Sequence, residues 1–314
     1  MSALSGYSPM AGPVAIGYNQ DVESRATRPP ITPFVARPPT ARTAPTLPAP
    51  AAVATVDQAG YDRLTREVRT LLGFDLAQYK APQVWRRVNG FAVANGLPDV
   101  PALIAACRVD PELRTAFRDM ITINVSEFLR NPEAFDTLRT RYLPGLLAGR
   151  TMLRVWSAGC SLGYEPYSIA MLVRELSATV GLRILATDLD ERILAQARSS
   201  RYTEAQMIGV STARRNRFFI HGDGSWEVRP EVRALVTWRR HDLLRDAYGS
   251  SFDLIACRNV TIYFTDAAKA ELFTRFARAL RPGGLLFVGA TEAISGARTF
   301  GLEPAQPGFY VRPE

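Results

Sequence analysis

The chain has 314 residues, of which 47% are hydrophobic, so it can bury the core of one large domain or of two smaller ones. No apolar run approaches the roughly 18 residues that a membrane-spanning helix needs. The N-terminus lacks the basic start and apolar block of a signal peptide, and we expect a cytoplasmic protein. Three scattered cysteines without a CxxC spacing, and only two histidines, make a structural metal site unexpected.

The formal net charge is +8, and all of the 38 lysine and arginine residues except Lys80 and Lys269 are arginines. A positive charge of this size favours an acidic partner. The sequence contains no basic and aromatic module of the kind that binds RNA. Neither nucleic acid nor insertion into a membrane is therefore expected.

Residues 1–55 contain ten of the 22 prolines together with many alanines and threonines. A segment of this composition cannot build a core, and it is typical of a disordered or polyproline-like tail. We expect a tether or a simple extension, and the composition does not choose between them.

Residues 56–123 are predicted to form an all-α domain. Apolar residues in the first stretch recur with helical spacing, and Gly73 ends that helix. The stretches APQVWRRVNGFAVANG, VPALIAACRV and DPELRTAFRDMITI predict three further helices. The second of the four is expected to stop at Gly96, and Asp110 and Pro111 are expected to open the last one as its N-cap and first residue.

Residues 124–150 form a linker to residues 151–314, where strand and helix patterns alternate. The strands are continuous apolar runs, as in LRVWSAGC and FDLIAC, which is typical of buried parallel strands. The pattern predicts an α/β fold with a doubly wound, Rossmann-like sheet. Residues 201–236 interrupt it as an insertion, which we expect to start as a helix and to end in a hairpin around Gly222.

The turn SAGCSLGYEP follows the first strand, where folds of this kind bind ligands. Gly159 and Gly163 would let a ligand approach the backbone, and Asp188, in ATDLD at the end of the second strand, could accept both hydroxyls of a ribose. The motifs GxGxxG and GxxxxGK are missing, and Glu165 would repel a phosphate. The sequence therefore favours a cationic nucleoside cofactor without phosphate, and S-adenosylmethionine fits that description.

Five stretches resemble the CheR family of chemotaxis-receptor glutamate methyltransferases, in the family's order: ITINVSEFLRNPEAF, RVWSAGCSLGYEPYSIAML, ATDLDERILAQAR, FDLIACRNVTIYF and LRPGGLLFVGATE. They cover roughly residues 57–314, and the first and fourth are the most specific because generic methyltransferases lack them. The resemblance implies a class I S-adenosylmethionine-dependent methyltransferase domain with a small inserted β-subdomain. It also implies an N-terminal all-α domain that abuts the cofactor site and helps to recognise the receptor.

The resemblance further implies which residues contact the cofactor: Asn124, Ser126, Arg130, Glu165, Asp188, Asp242, Leu243, Arg258 and Asn259. Arg130 would meet the cofactor carboxylate with its planar guanidinium, and Asn124 and Ser126 would add polar contacts to the amino-acid end. Asp188 would hold the ribose, and Asp242 with Leu243 would flank the adenine. Arg258 and Asn259 would lie near the methyl group, with Tyr263 as part of the pocket wall.

This chain departs from the family at one position of the first turn. The family usually has two consecutive glutamates there, whereas this chain has Tyr164 followed by Glu165. If the first glutamate is the one that contacts the cofactor, this protein has lost a charged partner. If Glu165 serves, Tyr164 is tolerated, and the sequence leaves both interpretations open.

Transfer of a methyl group to a glutamate carboxylate needs no general base, because that side chain is already ionised at pH 7. The near-absence of histidine is therefore compatible with the implied reaction, and no catalytic residue is assigned. Two alternatives stay open. One is a small-molecule methyltransferase, which the linker motif disfavours, and the other is a non-catalytic S-adenosylmethionine-binding regulatory protein, which Tyr164 makes conceivable.

The expected partner is the cytoplasmic helical domain of a methyl-accepting chemoreceptor, and the protein itself is expected to be a monomer. The resemblance implies that some family members add a receptor peptide as a strand to the inserted β-subdomain, while others do not. The hairpin FFIHGDGSWEVRPEVR looks compact, and Pro230 cannot donate a ladder hydrogen bond. We therefore expect the peptide-independent type, with Arg86 and Arg87 of the helical domain facing the acidic receptor.

Overall fold

The computed structural model describes residues 57–122 and 126–314 of the protein. The predicted tail, residues 1–55, lies outside these ranges. Within them, no helix is both long enough and apolar enough to cross a bilayer.

Residues 57–122 contain four helices: α1 (Gln58–Leu72), α2 (Ala81–Ala94), α3 (Val100–Val109) and α4 (Pro111–Thr122). All four predicted helices are confirmed. Gly73 ends α1 in the left-handed conformation at φ 79°, and the Asp110 side chain accepts from the backbone N–H groups of Glu112 and Leu113 at the start of α4. The expected stop at Gly96 was slightly late, because α2 already ends at Ala94.

Seven further helices follow Ser126. They are α5 (Pro132–Thr137), α6 (Leu143–Leu147), α7 (Tyr164–Leu176), α8 (Glu191–Ser199), α9 (Thr212–Phe218), α10 (Pro230–Arg233) and α11 (Asp266–Ala279), with a π-helical turn (Leu138–Tyr142) between α5 and α6. The strands are β1 (Met152–Ala158), β2 (Gly181–Asp188), β3 (Arg201–Thr203), β4 (Phe219–Gly222), β5 (Ser225–Val228), β6 (Val236–Arg240), β7 (Phe252–Cys257), β8 (Leu280–Val288), β9 (Glu303–Gln306) and β10 (Phe309–Val311).

Seven of the strands form one sheet in the order β6-β2-β1-β7-β8-β10-β9. β1 pairs in parallel with both β2 and β7, whereas β10 runs antiparallel to β8 and β9. The predicted doubly wound α/β sheet is confirmed, with the addition of an antiparallel edge. The strand order reverses between β1 and β7, and their carboxyl ends therefore flank a crevice of the kind that binds ligands in such sheets.

The insertion between β2 and β6 forms a second sheet in the order β3-β5-β4. The predicted hairpin is confirmed, since β4 and β5 are antiparallel and Gly222 pairs with Ser225. The expectation that the insertion starts as a helix was wrong, because it begins with strand β3. That strand has only three residues, with Tyr202 buried between two exposed neighbours, and such a short alternation is too weak a signal to read from sequence.

Candidate functional site

A cavity with about 1230 Å³ of empty space, its open mouth included, lies at the carboxyl ends of β1, β2, β6 and β7. Eight of the nine residues proposed from sequence to contact the cofactor line it: Ser126, Arg130, Glu165, Asp188, Asp242, Leu243, Arg258 and Asn259. The ninth, Asn124, lies outside the described residues. The fold thus brings together side chains that are up to 133 residues apart in the sequence.

The turn after β1 approaches the loop after β7 very closely. Gly159 has φ 80°, and a Cβ atom there would lie 2.5 Å from the side chain of Val260. Gly163, at φ 86°, is the N-cap residue directly before α7, and a Cβ there would lie 2.7 Å from the Trp238 ring. Both positions therefore require glycine, for the packing of the turn as well as for its conformation.

Glu165 lies in the first turn of α7 and points into the cavity wall. Its carboxylate accepts a hydrogen bond of 2.7 Å from the Ser157 hydroxyl. Within residues 57–122 and 126–314, no cationic side chain comes within 4 Å of it, and burial raises its pKa from 4.5 to about 7 even though the charge of Arg258 acts in the opposite direction. A half-buried carboxylate without an ion-pair partner among the described residues is suited to a cationic ligand.

Tyr164 does not line the cavity. Its side chain is 2% exposed, and its ring lies edge-on to Phe128 at 4.8 Å and tilted against Tyr202 at 5.2 Å between centroids. The tyrosine therefore packs the segment before α5 against the inserted subdomain. Of the two interpretations left open by the sequence, this geometry favours Glu165 as the carboxylate of the turn that faces a ligand.

Asp188, at the end of β2, is held by the backbone on both of its oxygens. One accepts from the N–H of Ser161 at 2.8 Å and the other from the N–H of Asp190 at 3.1 Å. Burial raises the pKa of Asp188, and these backbone hydrogen bonds partly offset the shift. The carboxylate is thus fixed in orientation while each oxygen keeps lone-pair capacity for a further donor.

Arg258, which lines the cavity, also supports the segment that carries Arg130. The Arg258 Nη2 group donates to the carbonyl oxygen of Arg130 at 2.8 Å and to Asn131 Oδ1 at 2.9 Å. Its guanidinium lies 4.9 Å from the centroid of the Phe135 ring and 4.6 Å from that of Phe287. Its side chain therefore has a structural role that the sequence did not indicate, in addition to its place at the cavity.

The segment held by Arg258 has an unusual backbone. Leu129 and Asn131 have φ angles of 54° and 59°, in the left-handed region that residues other than glycine rarely adopt. The Leu129 N–H donates to the Ser168 hydroxyl at 2.9 Å. These contacts compensate the conformational cost of the segment and fix the place from which Arg130 enters the cavity.

The strand ends of β6 and β7 supply the other side of the cavity. The Asp242 carboxylate accepts from the Leu244 N–H at 2.9 Å, while Leu243 is 8% exposed and provides an apolar surface. Asn259 has φ 60°, and Tyr263 follows it in a 3-10 turn and lines the cavity as expected.

Sequence reasoning missed several residues of the cavity wall, namely Tyr79, Ile121, Thr122, Glu127, Phe135, Leu189, His241 and Ile262. His241 stands directly before Asp242, so proximity in sequence could have suggested it. Tyr79 comes from the loop between α1 and α2, and it reaches the cavity through an isolated antiparallel bridge to Phe264. No local sequence pattern indicates a contact between residues that lie so far apart in the chain.

The reversal of strand order beside β1, the acidic end of β2 and the cavity between them are the features of an α/β protein that binds a nucleoside cofactor. Sequence comparison is consistent with this class. Residues 124–307 match the family model "CheR methyltransferase, SAM binding domain", and residues 59–122 match "CheR methyltransferase, all-alpha domain". The chain belongs to the CheR methyltransferase family, and it is an S-adenosylmethionine-dependent methyltransferase.

Relatives with this function in their names align over most of their length. "Chemotaxis protein methyltransferase" of Listeria monocytogenes is 41% identical over 253 residues, which are 80% of this chain and 97% of the relative. "Chemotaxis protein methyltransferase 1" of Pseudomonas aeruginosa is 36% identical over 254 residues, or 76% and 92% of the two chains. "Probable chemotaxis protein methyltransferase" of Rhizobium etli is 38% identical over 243 residues, or 71% and 88%.

Proposed function

We propose that this protein transfers the methyl group of S-adenosylmethionine to glutamate side chains of a chemoreceptor, forming glutamate methyl esters. The observation that carries the proposal is the meeting of Glu165, Asp188 and Asn259 in one cavity at the switch point of the sheet. The names of the relatives are the basis for proposing a chemoreceptor as the substrate. The proposal includes action as a monomer in the cytoplasm, on the cytoplasmic helical domain of the receptor.

The residues present fit the proposed cofactor. Glu165 offers a negative charge to its α-amino group, Asp188 offers acceptors to the ribose hydroxyls, and Arg130 offers a planar donor pair to its carboxylate. The remaining proposed contacts are Asn124 and Ser126 at the amino-acid end, Asp242 and Leu243 beside the adenine, and Arg258 and Asn259 near the reactive methyl group. Bound there, S-adenosylmethionine would supply a methyl group activated by its sulfonium charge, and S-adenosylhomocysteine would be the product.

The protein's own contribution to the reaction is placement and charge. A substrate glutamate arrives ionised and needs no proton removed, so the cavity has to orient the carboxylate and exclude water from it. Arg258 is 7% exposed, and burial lowers its pKa although an arginine stays protonated at neutral pH. Its positive charge would offset part of the hydration that a substrate carboxylate loses.

The reaction is tested with the full-length protein, labelled S-adenosylmethionine and membranes that contain chemoreceptors. Label in the receptor band that mild alkali releases as volatile methanol indicates glutamate methyl esters. The Asp188→Ala variant, which removes both acceptor oxygens, is the control for dependence on the cavity. Label that enters small molecules instead would support the small-molecule alternative, and tight cofactor binding without any transfer would support the regulatory alternative.

We further propose that the helical domain recognises the receptor through Arg86 and Arg87. The two side chains differ in placement, because consecutive helical residues point about 100° apart. Arg86 is exposed, whereas Arg87 is half-buried and donates to the Met120 carbonyl at 2.5 Å. Arg87 also lies beside Tyr263, where burial raises the pKa of the Tyr263 hydroxyl and the positive charge of Arg87 offsets only part of that shift. Arg86 thus suits first contact with an acidic receptor, and Arg87 suits a carboxylate that comes close to Tyr263.

The peptide-independent mode stays a proposal, but one reason given for it from sequence was wrong. Pro230 does not interrupt a strand ladder, because it is the first residue of α10. The proposal rests instead on the size of the hairpin, whose strands β4 and β5 have only four residues each. Such short strands offer few backbone groups to an added peptide strand.

Reversing the charge of Arg86 and Arg87 distinguishes docking through the helical domain from docking through the inserted sheet. We expect Arg86→Glu, alone and together with Arg87→Glu, to reduce receptor methylation, while Arg63→Glu on the exposed side of α1 is the matched control. Removal of the receptor's last residues should have little effect. Methylation that survives both reversals and collapses without the receptor tail would show that docking runs through the inserted sheet.

A further inference from the structure

Glu292 is a buried carboxylate outside the cavity whose role the reaction has not yet explained. It is 5% exposed and accepts five hydrogen bonds. Oε1 accepts from the Val260 N–H at 3.0 Å and from the N–H and hydroxyl of Thr261 at 2.7 and 2.8 Å. Oε2 accepts from the N–H groups of Asn259 at 2.5 Å and Gly289 at 2.8 Å.

This carboxylate is satisfied by neutral donors alone. Within the part of the chain that the structure describes, no lysine, arginine or histidine forms an ion pair with Glu292. Burying a charge is costly unless hydrogen bonds replace its water. Four backbone N–H groups and a hydroxyl do so here, and three of the N–H groups come from successive residues of one loop. The loop and the carboxylate therefore fix each other.

The local sequence is adapted to this contact. A Cβ atom at Gly289 would collide with the Glu292 carboxylate and would lie 3.2 Å from the Asn259 N atom. Only glycine leaves room for Oε2 between the end of β8 and the loop after β7. The glycine at position 289 thus makes the contact between Glu292 and the loop possible.

The supported loop carries one wall of the cavity. Asn259, in its left-handed conformation, and Tyr263 both line the cavity, and Val260 packs into the space that Gly159 leaves open. At its far end the loop reaches the helical domain, where the Tyr263 carbonyl accepts from the Lys80 N–H at 2.9 Å. Glu292 itself does not line the cavity.

We propose that Glu292 is a positioning residue for methyl transfer, which it supports by holding the 259–261 loop so that Asn259 stands at the reactive end of the cavity. This inference rests on the proposed function for the identity of the reaction. The charge and both acceptor oxygens are needed, because the NH2 group of a neutral amide would face donors in either orientation. These donors are the N–H groups of Asn259 and Gly289 at Oε2, and two loop N–H groups and the Thr261 hydroxyl at Oε1.

The test is a double-mutant cycle of Glu292→Gln and Asn259→Ala in the full-length protein, with Glu271→Gln on the exposed side of α11 as matched control. Affinity for S-adenosylhomocysteine and receptor methylation are both measured well below the unfolding temperature. We expect each single variant to lose at least about tenfold in kcat/KM and the double variant to lose little more than the worse single one. The Glu271→Gln control should match the wild type.

Losses that multiply in the double variant, or a Glu292→Gln protein within about twofold of the wild type in kcat/KM, would overturn the inference. If Glu292→Gln does not fold, Thr261→Val removes only the hydroxyl bond to Oε1, and its loss must show the same non-additivity with Asn259→Ala. A wild-type protein that methylates no receptor would refute the proposed function instead. The double-mutant cycle, measured by affinity for S-adenosylhomocysteine alone, would then still decide whether Glu292 positions the loop.

Discussion

Tyr164 stands where the resemblance to the family implies a glutamate, and its packing against Phe128 and Tyr202 gives the tyrosine a physical role there. The position belongs to the core that joins the inserted subdomain to the segment before α5. A tyrosine there contributes buried aromatic surface, which a carboxylate could not replace. Loss of one glutamate from the turn therefore does not imply loss of a cofactor contact.

We predict that Tyr164→Glu lowers the free energy of unfolding by about 3–5 kcal/mol, because it removes a buried ring and buries a charge in its place. It should bring no gain in cofactor affinity. Tyr164→Phe, the matched control, should cost about 1 kcal/mol, since only the hydroxyl is lost. Urea unfolding and calorimetry measure the two effects, and a tighter-binding Tyr164→Glu protein would contradict this account.

Asp188 should be the most sensitive single contact for the ribose. We predict that Asp188→Ala weakens cofactor binding by about 1–3 kcal/mol, because polar groups are left without partners. Asp188→Asn keeps the size and one acceptor oxygen and should lose less. Calorimetry on both variants, with unfolding temperatures measured in parallel, is the check, and unchanged affinity in Asp188→Ala would remove this residue from the site.

Glu165 makes cofactor binding sensitive to pH, because its pKa in the ligand-free protein is about 7. Only the ionised carboxylate attracts an ammonium group, so affinity should fall as the pH drops from 7.5 to 6, by up to about tenfold per pH unit below the pKa. Calorimetry at several pH values measures this slope. The Glu165→Gln variant should bind weakly with that slope removed, and an unchanged slope would assign the titration to another group.

The same raised pKa has a consequence for the stability of the ligand-free protein. Between pH 4.5 and about 7 the folded state holds a proton on Glu165 that the unfolded state has released. The contribution of this group to the free energy of unfolding therefore falls as the pH rises through that window. Glu165→Gln should lack this contribution, so the difference between the two proteins should grow in favour of the variant towards neutral pH.

At the scale of elements, the segment 126–131 depends on one arginine from a distant strand end. Arg258 holds the Arg130 carbonyl and the Asn131 side chain while the backbone of Leu129 and Asn131 stays in the left-handed region. A lysine would keep the charge but would lose the planar donor group and the stacking on Phe135 and Phe287.

We predict that Arg258→Lys speeds amide hydrogen exchange selectively in residues 126–131 and weakens cofactor binding. Exchange in α7 and β8 should stay at its wild-type rate, because the sheet does not depend on this contact. The matched control is Arg154→Lys, which lies on β1 away from the cavity. Uniform acceleration over the whole methyltransferase fold would mean that Arg258 supports the core and not the segment.

Local patterns predicted most elements because the forces behind them are local. Gly73 ends α1 and Asp110 caps α4 for reasons contained in a few residues. The missed elements include the strands β3 and β9, with three and four residues, and the helices α5 and α6, with six and five residues, in the segment described from sequence only as a linker. All four are too short to show a period. The wall residue Tyr79 was missed for a different reason, because its partner Phe264 lies far along the chain.

At the scale of the whole molecule, the chain carries an N-terminal segment whose composition predicts no core. We predict that deletion of residues 1–55 leaves the unfolding temperature, cofactor affinity and rate of methyl transfer unchanged within error. Differential scanning calorimetry and the receptor assay are the measurements. A large drop in unfolding temperature would show that this segment packs against the rest of the protein.

At this scale most of the site residues were predictable only through the family resemblance, and Asp188 and Glu165 are the exceptions. Asp188 and Glu165 could be inferred from the turn and the second strand, because a sheet of this kind has one switch point. Ser126 and Arg130 precede the sheet in sequence, and nothing in their spacing indicates that they enter the same cavity. The role of Arg258 as a support for them required the three-dimensional contacts.

The backbone junction between the two parts of the protein has a consequence for how it is made. The Lys80 N–H donates to the Tyr263 carbonyl and the Thr265 N–H donates to the Gln78 carbonyl, across more than 180 intervening residues. On the ribosome the helical part emerges early, and it must wait for most of the remaining chain before its partner loop exists. The backbone groups at Gln78–Lys80 thus stay unpaired during synthesis until residues 263–265 have been made. A chain released before residue 263 could never complete the cofactor cavity.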